Sequence, residues 1–232
     1  MSLEPAVVEE NLALARAAVA AAAARSGRPA GAVELLAAVK YVEPADLAVL
    51  ADAGIELVGE NRVEQLIAKQ AVAGDRFTWD FIGHLQSRKA RDLAGRVRLV
   101  HSLSTLSAAE RLDRSSSELP TACLVEVNAA GEDSKQGLAP GELDAFLEAL
   151  VALPNVRVEG LMTMPPLAAS PEESRPYFAA LRELAGSLAE RWAPQHSFAR
   201  LSMGTSQDYA VAVEEGATIV RLGSTLYRRS SV

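Results

Sequence analysis

The 232-residue sequence predicts an α/β fold, a single (β/α)8 barrel, and three observations carry that prediction. Eight short β-rich runs follow one another along the chain. Segments with helical spacing separate them. Most of the runs are apolar at consecutive positions, the pattern of strands covered on both faces, as in a parallel sheet. Eight such units in a chain of this length close most simply as a barrel ringed by helices, with a doubly wound open sheet as the alternative.

The elements follow in order. An Ala-rich helix over residues 4–26 suits the propensity scale and reads as an appended piece, residues 1–27, covering one barrel end. The first strand is Val33–Lys40 (VELLAAVK), followed by a helix over 44–53 that Pro44 opens. Leu57–Glu60 leads into a helix over 60–73, Trp79–Gly83 into 86–95, and Leu99–Leu103 into 105–117. Thr121–Asn128 leads into 140–152, Val156–Met164 into 171–192, Phe198–Gly204 into 206–215, and Thr218–Ser224 is the eighth strand. Ser104 and Ser170-Pro171 read as helix starts, with Glu172 and Glu173 complementing the helix N-terminus. Gly54, Gly74, Gly95 and Gly216 fall near helix ends, where a left-handed residue is wanted. No linker rich in Pro, Gly or Ser interrupts the chain, so residues 1–232 read as one domain.

Composition narrows the function classes. Hydrophobic residues are 49% and charged residues 23%, which excludes a disordered chain. A chain this long buries about 70% of its unfolded surface, enough to hold a core without disulfides or a structural metal. The net charge of −7 excludes a general nucleic-acid coat protein, so an anionic ligand must be held by a local cluster of donors. Cys123 stands alone, and His84, His101 and His196 have no ligand spacing, so no metal site is expected. The start MSLEPAVVEE lacks the basic region of a signal peptide, and the apolar stretch Ala17–Ala24 is far too short to span a membrane. A cytoplasmic protein with neither a membrane nor a nucleic-acid partner is expected.

In such a barrel the chemistry gathers at the C-terminal ends of the strands. Lys40 closes an apolar run there. It is either a lysine snorkelling out of a strand end or a partly desolvated amine able to attack an aldehyde. SMGTS and RLGST place Gly204, Gly223, Ser202, Thr205 and Ser224 at the ends of strands seven and eight. They form either two capped turns or a phosphate cradle. Arg221 lies inside a strand and needs a partner: a core carboxylate such as Glu34 or Glu126, or a ligand. His84 and His101 are placed to flank a pocket. The basic run Arg88-Lys89-Ala90-Arg91, with Arg96 and Arg98, reads as a solvated helix face or a local anion patch.

An amine, a phosphate cradle and a strand-eight arginine together suit pyridoxal 5′-phosphate (PLP). AAVKYVEP, VGENRVEQ, WDFIGHLQSRK, VHSLSTL, VEVNAAGEDSKQGL, GLMTMPP and LSMGTSQDYAVAVEEGATIVRLGS resemble, in this order, the PLP homeostasis family, over about residues 33–228. The resemblance implies a barrel similar to the N-terminal domain of bacterial alanine racemase, with PLP held on Lys40 as a reversible aldimine, a Schiff base. It implies phosphate contacts from Ser202, Gly204, Gly223 and Ser224, and Arg221 near the pyridine nitrogen. Thr205 stands where the family often has Met, Asn61 and His84 fall on family positions near the pocket, and Lys135 matches a family lysine linked to cofactor handling. The tail LYRRSSV departs from the family, which often has Phe-Gly there.

An arginine beside the ring nitrogen disfavours its protonation and damps carbanion chemistry. No paired acid–base residues are evident. The expected function is therefore a PLP carrier that regulates free cofactor and passes it to apo-enzymes, and the family resemblance implies a monomer. A slow amino-acid racemase or another PLP enzyme is the alternative, and a cofactor-free aldolase using Lys40 a third reading.

Overall fold

The computed structural model describes residues 3–116, 119–131 and 136–228. Eight parallel strands close one barrel in sequence order. They are β1 (Glu34–Ala38), β2 (Leu57–Glu60), β3 (Thr78–Phe81), β4 (Leu99–Leu103), β5 (Thr121–Glu126), β6 (Val156–Met162), β7 (Arg200–Thr205) and β8 (Ile219–Leu222). The helices are α1 (Pro5–Arg25), α2 (Leu47–Asp52), α3 (Val63–Ala73), α4 (Ser87–Ala90), α5 (Leu106–Ser115), α6 (Leu143–Val151), α7 (Arg175–Trp192), α8 (Tyr209–Glu214) and α9 (Ser224–Tyr227). The expected strand runs fall on the observed ones with ends displaced by a residue or two. The last residues of several expected runs, Lys40 and Gly83 among them, leave the ladder and form the loops of the barrel mouth.

Consecutive apolar residues do mark strands with two covered faces: every residue of β4 and β5 is buried. Inside the barrel lies a small core of Leu36, Leu99, Ala122, Leu124, Met162 and Ile219. A far larger core fills the space between strands and helices. The outer ring is continuous because α1 packs against α8, α9 and α2. The appended helix therefore fills the flank between the last helices and the first, and its Leu12, Arg16, Val19 and Ala20 also border a concavity at the N-terminal end of the barrel. Its Ala-rich face allows this close approach: Ala15, Ala22 and Ala23 are buried.

One expected helix start is shifted by a residue, and the other keeps its place at Ser170-Pro171 without the expected side-chain cap. Thr105, not Ser104, caps α5, its hydroxyl accepting the Ala108 N–H at 3.3 Å. The Ser170 hydroxyl donates to Glu173 at 3.1 Å and caps no backbone group. The register of β7 against β8 shifts between Ser202 and Thr205, where Gly204 takes φ +90°. This irregularity re-aims the end of β7 at the barrel mouth. Among the described residues no helix is long and apolar enough to cross a membrane, and no cluster of His, Cys, Asp or Glu suits a metal.

Candidate functional site

A cavity of about 520 Å³ opens at the C-terminal mouth of the barrel. Six of the residues singled out from the sequence line it: Lys40, Asn61, Thr205, Arg221, Gly223 and Ser224. A larger concavity, about 730 Å³, lies at the opposite end beneath α1. Its buried-side charges are already paired: Arg98 bonds to Asp80 and to Glu34, leaving the mouth as the place where an amine, a guanidinium and hydroxyls converge.

Lys40 and Asn61 follow β1 and β2, and one buried ion pair ties both loops. Lys69, on α3, is 1% exposed. Its ammonium donates to Val39 O at 2.6 Å and to Glu60 Oε2 at 2.5 Å. Glu60 Oε1 in turn accepts the N–H of Asn61 at 2.6 Å and of Arg62 at 3.2 Å. The residue before Lys40 and the backbone of Asn61 are thus fixed to the same pair. Lys40 itself is exposed, its Nζ 4.9 Å from the Tyr41 ring centroid. Of the two readings of Lys40, the exposed side chain fits the lysine reaching out of a strand end and not the partly desolvated amine: the chain turns outward after Val39 and carries Lys40 to the open side of the cavity. Asn61 Oδ1 is buried and has no hydrogen-bond partner among the described residues.

The opposite wall is built by the ends of β7 and β8. Asp208 Oδ1 accepts the Thr205 N–H at 2.7 Å and its hydroxyl at 3.2 Å, fixing the turn after β7. Ser206 Oγ accepts the N–H groups of Gly223 at 3.2 Å and Thr225 at 3.4 Å, locking this turn to the one after β8. Ser206 lines the cavity and was not among the expected contacts, although it sits in the same SMGTS run. Two expected contacts are not brought there. Ser202 is fully buried inside the barrel, its hydroxyl held by His101 and Arg221. Gly204 faces α8: a Cβ would lie 2.5 Å from Ala212 Cβ and 2.9 Å from Tyr209 Cα. The absence of a Cβ there lets α8 pack closely against β7. His84 is exposed beside the mouth and does not line the cavity. Lys135 lies outside the described residues.

Arg221 reaches the cavity from within the barrel. Its Nη1 donates to Ser202 O at 2.9 Å and to the Ser202 hydroxyl, and its Nη2 to Thr163 O at 3.1 Å. Neither Glu34 nor Glu126 forms the ion pair anticipated as one option; Glu126 acts only through its charge. Burial pushes the guanidinium down to about 10, against the attraction of Glu126 and Asp208, so it stays cationic at neutral pH. Burial raises Glu126, opposed by the charges of Arg221 and His84.

Beneath Arg221 lies a buried pair. Burial lowers His101, against the pull of Asp80. Burial works to raise Asp80, but hydrogen bonds from His101 and Arg98 overcome it and hold the carboxyl below its usual range. The unfolded chain therefore binds the His101 proton more readily, and stability falls as pH drops below about 6.5. Asp80 adds to this at lower pH, since its contribution is present above the ordinary carboxyl range and lost below it. Glu126 works in the opposite sense, its contribution fading as pH rises above that range. Urea titrations between about pH 5 and 8 are expected to show stability rising with pH, with His101→Gln flattening the rise; an unchanged slope would mean that His101 is protonated inside the barrel.

The barrel and its mouth define a protein of the alanine racemase N-terminal type. The family described as "Alanine racemase, N-terminal domain" matches residues 11–231. Alanine racemase from Corynebacterium glutamicum shares that fold, with a TM-score of 0.70 at 15% identity over 100% of this chain and 62% of its own. Within this class, the chain belongs to the pyridoxal phosphate homeostasis protein family. The protein of that name from Aquifex aeolicus is 40% identical over 206 residues, 88% of this chain and 90% of its own. The one from Pseudomonas aeruginosa is 38% identical over 223 residues, 95% and 94% of the two chains. PipY of Synechococcus elongatus PCC7942, solved with PLP bound, has a TM-score of 0.80 at 35% identity, covering 95% of this chain and 100% of its own.

Proposed function

We propose that this chain binds PLP at the barrel mouth and acts in PLP homeostasis as a reversible reservoir. The observation that carries the reading is the convergence, around one cavity of about 520 Å³, of the Lys40 amine, the Arg221 cation and the Thr205–Ser206 and Gly223–Ser224 turns. That volume is in the range of small-molecule sites. The residues fit the cofactor. Bound PLP supplies an electrophilic aldehyde and a dianionic phosphate. Lys40 offers a nucleophile to the first. The hydroxyls and backbone of Thr205, Ser206, Gly223 and Ser224 offer donors to the second, in a protein whose net charge of −7 gives no general pull on anions. Asn61 lines the wall between them, its side-chain oxygen buried and without a hydrogen-bond partner among the described residues. The relatives named for this role and the PLP-bound PipY structure support the assignment.

The same geometry favours storage over turnover. Arg221 is the group proposed to face the ring nitrogen, where a cation opposes protonation and weakens the ring as an electron sink. The acid–base candidates form no pair: Tyr41 lines the cavity but is 83% exposed, His84 and Tyr209 do not line it, and His101 is sealed in the barrel. A monomeric carrier that hands PLP to apo-enzymes, with Lys135 assisting, is the fuller form of this proposal.

The test is to add PLP, record the visible spectrum, reduce with borohydride and map the adduct. The label is expected on Lys40, and Lys40→Ala is expected to abolish both the band and the label. A label on another lysine, or none, would overturn the reading. Turnover of amino acids well above that of free PLP would replace the reservoir by an enzyme.

A further inference from the structure

Barrels of this fold usually fill their interior with layers of branched apolar side chains. Here a polar column climbs through it beside the small apolar core. Asp80 on β3, His101 on β4, Ser202 on β7 and Arg221 on β8 are all buried. At its foot, the two Asp80 oxygens accept Arg98 Nε at 2.9 Å and Nη2 at 2.6 Å. Asp80 Oδ2 also lies 3.0 Å from His101 Nε2. His101 Nδ1 is 2.8 Å from Ser202 Oγ, which also takes Arg221 Nη1.

Donor and acceptor roles allow one order. A carboxylate clamped by Arg98 has only lone pairs to offer, so His101 Nε2 carries the proton. The neutral ring then has a bare Nδ1, which accepts from the Ser202 hydroxyl. That hydroxyl turns its lone pair to Arg221, a donor only. Ser202 O and Thr163 O hold the rest of the guanidinium. A doubly protonated His101 would place a second donor against Ser202 Oγ and a second cation near Arg221.

We infer that Asp80, His101 and Ser202 are positioning residues that fix the orientation of Arg221 at the cavity, an inference that rests on the PLP reading of that cavity. Arginine has a long flexible stem, and its planar fork is useful to a ligand only when held at one angle. Ser202 touches no part of the cavity wall, yet it decides where the cation in that wall stands.

The experiment has two arms. On the unloaded full chain, ¹⁵N NMR of the imidazole nitrogens is expected to show His101 neutral at pH 7, protonated at Nε2 and bare at Nδ1, with Ser202→Ala moving the Nδ1 signal. On the loaded chain, Ser202→Ala is expected to raise the Kd for PLP about tenfold, in line with loss of a hydrogen bond to a charged group, and to shift the visible band. In an Arg221→Lys background the same substitution is expected to change Kd by less than about twofold, because its effect passes through Arg221. Ser202→Cys keeps the volume, supplies a poor acceptor and is expected to move Kd the same way should the alanine variant fold badly. A His101 protonated at Nδ1 overturns the relay, as does a Ser202→Ala effect of equal size in both backgrounds or a change in melting temperature alone. Failure of the wild-type chain to bind PLP overturns the reading of the cavity, while the NMR arm still decides the relay.

Discussion

Lys69→Met is expected to remove about 3–5 kcal/mol of stability, read as the shift in a urea unfolding curve. The substitution keeps the length of the stem and deletes only the ammonium. That leaves the Glu60 carboxylate, 1% exposed, without its counter-charge, and Val39 O with the Val42 N–H as its remaining donor. Breaking a buried pair by one partner is far more costly than replacing both. Lys69→Met combined with Glu60→Gln is therefore expected to recover most of the loss. The recovery in PLP affinity should be smaller, since the link from α3 to the loop bearing Lys40 stays cut. A single variant that lost less than about 1 kcal/mol would show that water reaches the pair and that it does not hold the two loops.

This pair also marks where sequence reading stops. The strands were legible because both faces are covered and the apolar runs are continuous. The amine at position 40 and the two Gly-hydroxyl turns were legible because strand ends of a parallel barrel share one rim. What a side chain meets across the barrel was not. Lys69 reads as an ordinary helical lysine, and only closure of α3 over β1 and β2 puts it under Glu60 and Val39. Ser202 reads as a candidate donor and Ser206, in the same short run, does not. The register shift at Gly204 sends the first into the barrel and the second to the rim. His101 and Asp80 lie on neighbouring strands, 21 positions apart, so their pairing follows from register and not from spacing. The apolar run before Lys40 leaves open whether it snorkels out or is partly desolvated. Local composition says nothing of the outward turn after Val39.

The glycine of the FIGHLQS run gives the second large effect. A Cβ on Gly83 would stand 1.9 Å from Asn61 O and 2.6 Å from Asn61 C and Cα. These are backbone atoms, so no rotamer change relieves the clash, and the loops after β2 and β3 must separate. Overpacking a core costs about 1–3 kcal/mol even where side chains can shift, so Gly83→Ala is expected at or above the top of that range. The displaced atoms belong to a residue that lines the cavity, so PLP affinity should fall with stability. Gly141→Ala is the matched control: nothing lies within 4 Å of its Cβ position and its φ is not positive, so wild-type melting and binding are expected. Gly83→Ala melting with the control would mean that the β2 and β3 loops yield freely. Asn61 would then owe its place to the Glu60 contact alone, and Lys69→Met would be left as the one substitution able to move it.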